Sequence, residues 1–387
     1  MGNEVFNESH PYQYAVFKTA PKPGESGILV NTRGITKKTF IDRYTEIDCI
    51  EYYKEKRPLS NFLGSREYNP KTKKYGKYVW KSWAEVYDLA TLFLYGITKF
   101  NLCPEIPVED DIAGKNNKIR LMGFYSRTRE EWMIGNFGCQ MDSITIVTIY
   151  DTLGMNSIEY ILRQTELTTI LTETNNLEMI LRLKEEKKLI NVKNIIYLHC
   201  NEEKDNLNEI KEKLKNLGLN LISYDTIIET GKKCREEKDK EILDKNYRKV
   251  LPDDVFLMCY TSGTTDNPKG VMVSSRSLML TSNFMYNVGY HLTEKDKHIS
   301  FLPLGHLMEH MLFSINVIFG IQIGYYSGNT SRLSDDIQAL QPTVFCAVPR
   351  VYEKIYQTIM DNINQRGAFY KKLFDKALAI KLYNATT

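Results

Sequence analysis

Residues 260–270, YTSGTTDNPKG, combine hydroxyl groups, glycines and one lysine in a single short stretch. They directly follow an apolar run at 255–259, a pattern that predicts a buried strand ending in a flexible loop. Backbone N–H groups, hydroxyls and an ammonium charge can together surround a polyphosphate, and glycine lets the backbone approach an anion closely. We therefore predict a nucleotide-binding loop and a nucleotide-using enzyme. The predicted contact residues are Thr261, Ser262, Gly263, Thr264, Thr265, Lys269 and Gly270.

The spacing within this stretch differs from that of the commonest phosphate-binding loop. That loop requires a glycine, four residues and then Gly-Lys-Ser/Thr. Here Lys269 precedes Gly270, and Val271 stands where a magnesium-binding hydroxyl would be needed. An ordinary turn rich in serine, threonine and glycine is the simple structural alternative. The density of hydroxyls, together with Pro268 and Lys269, favours the phosphate-binding interpretation.

Several segments of the chain resemble one enzyme superfamily. Residues 260–270 resemble the phosphate-binding loop of the AMP-forming, adenylate-forming enzymes, whose usual form is YTSGTTGxPKG. Residues 302–309, LPLGHLME, are similar to the LPLAHxxE segment of the acyl-CoA synthetases within it. Residues 348–355, VPRVYEKI, resemble a block of the long-chain fatty acyl-CoA synthetases. Residues 131–132 and 149–154 resemble the NRxEW and LYDTLG segments of the same branch.

The resemblance, which runs from about residue 78 to the end, implies a long-chain fatty acid–CoA ligase. In that reaction a fatty carboxylate attacks the α-phosphate of ATP, giving an acyl-adenylate and pyrophosphate, and coenzyme A then displaces AMP. The implied ligands are a long-chain fatty acid, ATP, Mg²⁺ held mainly through the phosphates, and coenzyme A as co-substrate. The resemblance also assigns His306 to the acyl pocket, where it would orient the substrate carboxylate.

The sequence departs from the family pattern in two places. Asp266 occupies a position that is usually glycine, and its carboxylate would oppose a nearby phosphate charge by roughly 4 kcal/mol at about 4 Å. The chain also ends at Thr387 within a helical pattern, and we find none of the family's downstream elements. We therefore expect the N-terminal portion of a synthetase, an incomplete catalytic unit. A non-catalytic remnant that binds nucleotide or acyl chain is the alternative.

His306, Glu309 and His310 fit a second pattern, the H-x-x-E-H motif of zinc metalloproteases. Two histidines four residues apart on a helix could share a face and bind zinc, but no third ligand is evident nearby, so we predict no metal site. Ordinary packing of these histidines is a further alternative. Arg350 could contact phosphate or pair with a core carboxylate, and Asp151 could cap the following helix.

Strand and helix patterns alternate along most of the chain, which predicts an α/β fold with parallel-sheet subdomains flanked by helices, incomplete at its C-terminus. We divide it into an N-terminal arm (1–77) and an AMP-binding domain (78–387), itself split into a first α/β subdomain (78–250) and a nucleotide-loop subdomain (251–387). The charged stretch 231–249 is interpreted as a solvated helix or linker. Strands are predicted at 119–125, 144–149, 168–171, 194–200, 219–223, 255–259, 298–302 and 343–347, and helices at 83–97, 129–139, 157–164, 207–217, 278–290 and 369–383.

Composition sets outer limits on function. The formal net charge of +3 over 387 residues shows no basic footprint for nucleic acid. Seven cysteines without CxxC spacing indicate mostly buried free thiols in a reducing compartment. We find neither a secretory signal nor a segment apolar enough to span a bilayer. The expected location is cytoplasmic, compatible with peripheral contact with the cytosolic face of the endoplasmic reticulum or another membrane.

Overall fold

The computed structural model describes residues 15–17, 29–31, 43–108, 118–150, 153–261, 267–287 and 292–386. The chain divides into two compact units, residues 1–343 and 344–387. The strands are β1 (Ala15–Phe17), β2 (Leu29–Asn31), β3 (Asn61–Asn69), β4 (Lys74–Ser82), β5 (Glu105–Pro107), β6 (Lys118–Tyr125), β7 (Thr145–Thr148), β8 (Thr169–Glu173), β9 (Asn194–Leu198), β10 (Asn220–Ser223), β11 (Val255–Thr261), β12 (Lys269–Ser274), β13 (Lys297–Ser300) and β14 (Gln322–Tyr325).

The helices include the long amphipathic segments that the sequence pattern predicts. Short 3₁₀ turns lie at Thr174–Asn176 and Thr330–Arg332. The α-helices are α1 (Glu46–Lys56), α2 (Trp83–Lys99), α3 (Glu130–Gln140), α4 (Met155–Thr165), α5 (Leu177–Glu185), α6 (Leu207–Asn216), α7 (Tyr224–Glu236), α8 (Lys240–Leu243), α9 (Ser275–Asn287), α10 (Leu307–Phe319), α11 (Leu333–Leu340), α12 (Pro349–Gln365) and α13 (Ala368–Thr386).

Eight strands form the large sheet of the first unit, in the order β10-β9-β8-β6-β7-β11-β12, with β5 paired to β6. All pairings from β10 to β11 are parallel, and β5 and β12 run antiparallel to their neighbours. Alternate residues of β6 enter different cores: Met122 and Phe124 lie in one, and Leu121 and Tyr125 in the other. The sheet is therefore buried on both faces, and the predicted α/β class is confirmed.

A second sheet of four strands has the order β13-β14-β3-β4. Strand β14 pairs in parallel with β13 and β3, and β3 and β4 form an antiparallel hairpin. Gly64 of β3 lies under Trp80, whose ring would be 2.7 Å from a Cβ at that position. The proposed boundary between residues 77 and 78 falls inside β4, and α1 places Ile47 and Ile50 in the same core as α2. The domain division itself stays a prediction.

Most predicted elements occur with ends shifted by a few residues. Helix α2 begins with a capping box in which Ser82 and Glu85 exchange hydrogen bonds, and Gly218 follows α6 with φ +82°. The predicted strand at 343–347 is wrong, because these residues form no strand before α12. The interpretation of 231–249 as solvated needs correction at its start: Gly231 is buried in α7, against α2.

Candidate active site

The carboxyl ends of β6, β7, β8, β9 and β11 lie along one edge of the large sheet, because these strands run in the same direction. In open α/β sheets, ligands bind in the crevice beyond this edge. The predicted phosphate-binding loop starts here, directly after β11. The edge that carries the loop is therefore the expected position for a ligand.

The two strands that frame the loop form an antiparallel pair. Thr261, the last residue of β11, is opposite Lys269, the first of β12, and Tyr260 is opposite Gly270. The side chains of Thr261 and Lys269 are exposed. The structure therefore brings together three of the predicted nucleotide contacts, Thr261, Lys269 and Gly270. The other four predicted contacts are Ser262, Gly263, Thr264 and Thr265, and they lie outside the described residues, as does Asp266. Their phosphate contacts stay predictions.

Tyr260 anchors the base of this frame. Its side chain is buried, and its hydroxyl donates to Gln164 Oε1 at 2.8 Å, near the end of α4. Burial raises the pKa of Tyr260 to about 12, so the phenol stays neutral at ordinary pH. A Cβ at position 270 would lie 2.9 Å from this ring. Gly270 is therefore required for close packing against Tyr260, a reason that the sequence alone does not give.

His306 is the N-cap residue of α10, in the segment that connects β13 to this helix. Its Nδ1 accepts a hydrogen bond from the backbone N–H of Met308 at 3.4 Å, and its side chain is exposed. The imidazole ring lies 6.2 Å, centroid to centroid, from the ring of Tyr150, which follows β7. The structure thus places His306 at the same edge as the frame of the phosphate-binding loop. Its role toward a carboxylate stays a prediction.

Two threonines hold the segment before His306 against the large sheet. Thr128 donates from its hydroxyl to the Leu302 carbonyl at 2.5 Å and accepts from the Leu304 N–H at 3.0 Å. Thr148, at the end of β7, donates to the Gly305 carbonyl at 3.0 Å. We call this pair, Thr128 and Thr148, the threonine clamp. Sequence reasoning missed it, although Thr128 occupies the first position of the stretch 128–132 that resembles the NRxEW segment.

A small cavity of about 40 Å³ lies between Thr128 of the threonine clamp and the ends of β6 and β7. Its walls include the aromatic rings of Phe124, Trp132, Tyr150, Phe301 and Tyr326. Burial raises the pKa of Tyr150 to about 12, so this phenol is also neutral. Ser126 and Arg127 also line the cavity, so its walls are both aromatic and polar. The bonds from Leu304 to Thr128 and from Thr148 to Gly305 are buried, and solvent screens them poorly.

The side chains of the H-x-x-E-H stretch have separate partners in the core. Glu309 accepts from Ser300 at 2.5 Å, and its Oε1 lies 3.7 Å from His298 Nε2. His310 Nε2 instead lies 3.5 Å from Glu46 Oε1, whereas His306 is exposed. Across the described ranges, no three His, Cys, Asp or Glu side chains are grouped as metal ligands would be. This arrangement gives the zinc hypothesis no support.

Arg350 lies in the second unit, in the first turn of α12, where Pro349 occupies the first helical position. Contact of Arg350 with a phosphate stays a prediction. Asp151 lies outside the described residues. All seven cysteines are free and five are buried, as the sequence predicts. In the part of the chain that is described, no helix has the length and apolar character needed to cross a membrane.

The parallel sheet with a hydroxyl- and glycine-rich loop at its carboxyl edge is typical of α/β enzymes that bind nucleotides. Residues 114–380 match the AMP-binding enzyme family, and the chain belongs to this family. The fold is similar to the adenylation domain of a carboxylate reductase from Mycobacterium chelonae, with TM-score 0.67 and 18% identity over 85% of this chain and 50% of that one. It is also similar to the Segniliparus rugosus carboxylic acid reductase domain solved with AMP and a co-purified carboxylic acid, with TM-score 0.64 and 16% identity over 85% and 52%.

Curated relatives include long-chain acyl-CoA synthetases. Long chain acyl-CoA synthetase 5 of Arabidopsis thaliana is 32% identical over 85% of this chain and 46% of its own length. Long-chain-fatty-acid–CoA ligase 1 of Cavia porcellus is 28% identical over 94% of this chain and 50% of its own. The chain thus spans about half the length of the curated relatives it matches.

Proposed function

We propose that this protein takes part in activating long-chain fatty acids. In this proposal a fatty carboxylate reacts with ATP to give an acyl-adenylate and pyrophosphate, and coenzyme A then displaces AMP to form the thioester. The observation that carries the proposal is the convergence of two segments at one sheet edge. Thr261 and Lys269 frame the loop, and His306 lies beside Tyr150, which follows the neighbouring strand. The relatives named as long-chain synthetases support the choice of acyl substrate.

The part assigned to the loop is to hold the triphosphate. Lys269 would provide a positive charge and Thr261 a hydroxyl donor, and both are exposed, one at each end of the loop. A hydrogen bond between charged partners contributes about 1.5–3 kcal/mol, more than a neutral one. Mg²⁺ would be held mainly through the phosphates.

The part assigned to His306 is to orient the carboxylate. Its Nδ1 already accepts the Met308 N–H, so Nε2 is the ring nitrogen left to face a substrate oxygen. A carboxylate held near the α-phosphate would react as in an intramolecular step, because orientation is fixed before the chemistry. His306 would act by positioning, with no covalent bond to the enzyme.

ATP–pyrophosphate exchange on the purified protein tests the proposal, with fatty acids of several lengths and with and without coenzyme A. We expect exchange that requires a fatty acid, and we expect Lys269→Ala to reduce it more than tenfold. Lys193→Ala is the matched control, since this exposed lysine precedes β9 at the opposite edge of the sheet. Binding of ATP without exchange would favour a non-catalytic nucleotide-binding role. Equal exchange in wild type and Lys269→Ala would refute the role given to Lys269.

A further inference from the structure

Glu46, a buried acidic residue of α1, lies close to His310 of helix α10, and His310 is one helical turn after His306. His310 is fully buried between two aromatic rings, with centroids 5.7 Å from Trp132 and 5.5 Å from Phe256. Its Nε2 lies 3.5 Å from Oε1 of Glu46, the first residue of α1. An acidic side chain at the start of one helix therefore faces a histidine in the core of the protein.

Glu46 is held by three further donors. Ser314 donates to its Oε1 at 2.5 Å, and Gln140 and Asn136 of α3 donate to its Oε2 at 2.8 and 3.3 Å. Burial alone would raise the pKa of Glu46, but His310 and the hydrogen bonds from Ser314 and Gln140 lower it below the ordinary value. Glu46 is therefore a carboxylate at neutral pH, although only 2% of its surface is exposed.

A buried carboxylate strongly favours one arrangement of its neighbours. Removing a single partner leaves an uncompensated charge, which costs about 3–5 kcal/mol, whereas apolar contacts tolerate sliding and repacking. His310 and Ser314 are four residues apart, so both lie on the face of α10 that meets α1. The Tyr53 hydroxyl makes a second tie from α1, donating to the Ile318 carbonyl at 2.8 Å. Helix α10 is thus held at two levels along its length.

The position of His306 depends on the position of helix α10, because His306 is its N-cap residue. It caps α10 one turn before His310, and a helical turn advances only about 5.4 Å. The threonine clamp fixes the chain just before His306, and Glu46 fixes the chain just after it. A shift of α10 toward or away from α1 would therefore change the position of the His306 ring relative to Tyr150.

We infer that Glu46 and His310 are positioning residues for His306. The pair keeps α10 in register, so that the imidazole at its N-cap lies at the carboxyl edge of the large sheet. The consequence for carboxylate orientation rests on the proposed function. The geometric claim does not, and it can be tested without substrate.

The first test measures the chemical reactivity of His306. Diethyl pyrocarbonate modifies exposed imidazoles, and peptide mass spectrometry gives the rate at each histidine. His199 is an internal reference because it is exposed and lies at the end of β9, with Glu203 as its ion-pair partner. We expect Glu46→Gln to change the His306/His199 rate ratio at least threefold relative to wild type. Glu46→Asp, which keeps a carboxylate, should change this ratio less than Glu46→Gln does.

Asp254→Asn is the matched control variant. Asp254 is also buried and paired with an arginine, Arg248, and it precedes β11 at the opposite edge of the sheet. We expect this substitution to leave the His306/His199 ratio within the experimental error of wild type. If Glu46→Gln leaves the ratio unchanged while the folded protein is retained, the positioning role is refuted. A change of similar size in Asp254→Asn would refute it too, because the effect would then be general loosening.

The second test uses the proposed reaction. In the exchange assay, Glu46→Gln should raise the KM for the fatty acid at least fivefold and leave the KM for ATP within twofold. Equal changes in both would contradict the inference. If wild type itself shows no exchange, the proposed function fails, and the reactivity of His306 still decides the positioning role.

Discussion

Replacing Thr128 by valine removes both hydrogen bonds of one residue of the threonine clamp while keeping the shape of the side chain. The Leu304 N–H, which is buried, and the Leu302 carbonyl, which is partly buried, would each lose a partner. An unpaired buried group costs about 1–3 kcal/mol, so the two together destabilise the local structure by roughly 2–4 kcal/mol when some relaxation is allowed. A local opening free energy reduced by about 2–3 kcal/mol corresponds to roughly 30- to 150-fold faster amide exchange.

Hydrogen–deuterium exchange read on peptides that cover residues 301–306 measures this effect. We expect Thr128→Val to accelerate exchange there by roughly 30- to 150-fold, because local opening limits amide exchange in a folded protein. Thr281→Val is the control, since its exposed hydroxyl donates only to the Ser277 carbonyl within α9. Unchanged exchange at 301–306 in Thr128→Val would show that the clamp does not hold this segment, and acceleration throughout the protein would point to global destabilisation.

Three further predictions concern stability. Gly231→Ala should destabilise by about 1–3 kcal/mol in urea unfolding, because the new Cβ would lie 2.0 Å from a backbone carbonyl of α2, whereas Gly154→Ala has open space and should be near neutral. Tyr260→Phe should cost about 0.5–1.5 kcal/mol by the same measurement, since Gln164 loses its phenol donor; no loss would mean that this bond is not formed. Burial opposes ionisation of Asp254, but hydrogen bonds from Arg248 and neighbouring donors lower its pKa. The ionised carboxylate therefore stabilises the fold above about pH 4, and this stabilisation is lost in stronger acid. The difference in the free energy of unfolding between wild type and Asp254→Asn should shrink from pH 7 to about pH 3.

Local patterns predicted the elements whose signal is contained in a few consecutive residues. The apolar spacing and the Ser82–Glu85 capping box mark α2, and the apolar run before Thr261 marks β11. The segment 343–347 shows the limit of such patterns. Its β-branched and aromatic residues fit a strand, but a strand also needs a partner, which a short window of sequence does not reveal. The β3–β4 hairpin was missed because its residues are mainly polar and include a basic run.

The candidate site was predictable only in its chemically distinctive parts. The loop residues and His306 can be predicted from their residue types and spacing. Thr128 and Glu46 cannot, because they act through contacts with residues far away in the sequence. The Thr128 hydroxyl meets a carbonyl 174 positions later, and Glu46 meets Ser314 at a separation of 268. No periodicity connects such positions. The H-x-x-E-H stretch shows the converse. Glu309 and His310 are adjacent in the sequence, yet they contact different residues in the core.

The pairing of β14 with β3 has a consequence for biosynthesis. The hydroxyl of Tyr53 reaches a carbonyl 265 positions further along, and the neighbouring strand pair spans a similar interval. Closing an interval of this size is slow, because much chain entropy is lost before any contact repays it. During synthesis on the ribosome, the β3–β4 hairpin would be made first. The edge of β3 that pairs with β14 would stay unpaired until nearly the whole first unit has emerged. That open edge is where we expect chaperones to bind the nascent polypeptide, and where a stalled ribosome would leave it prone to aggregation.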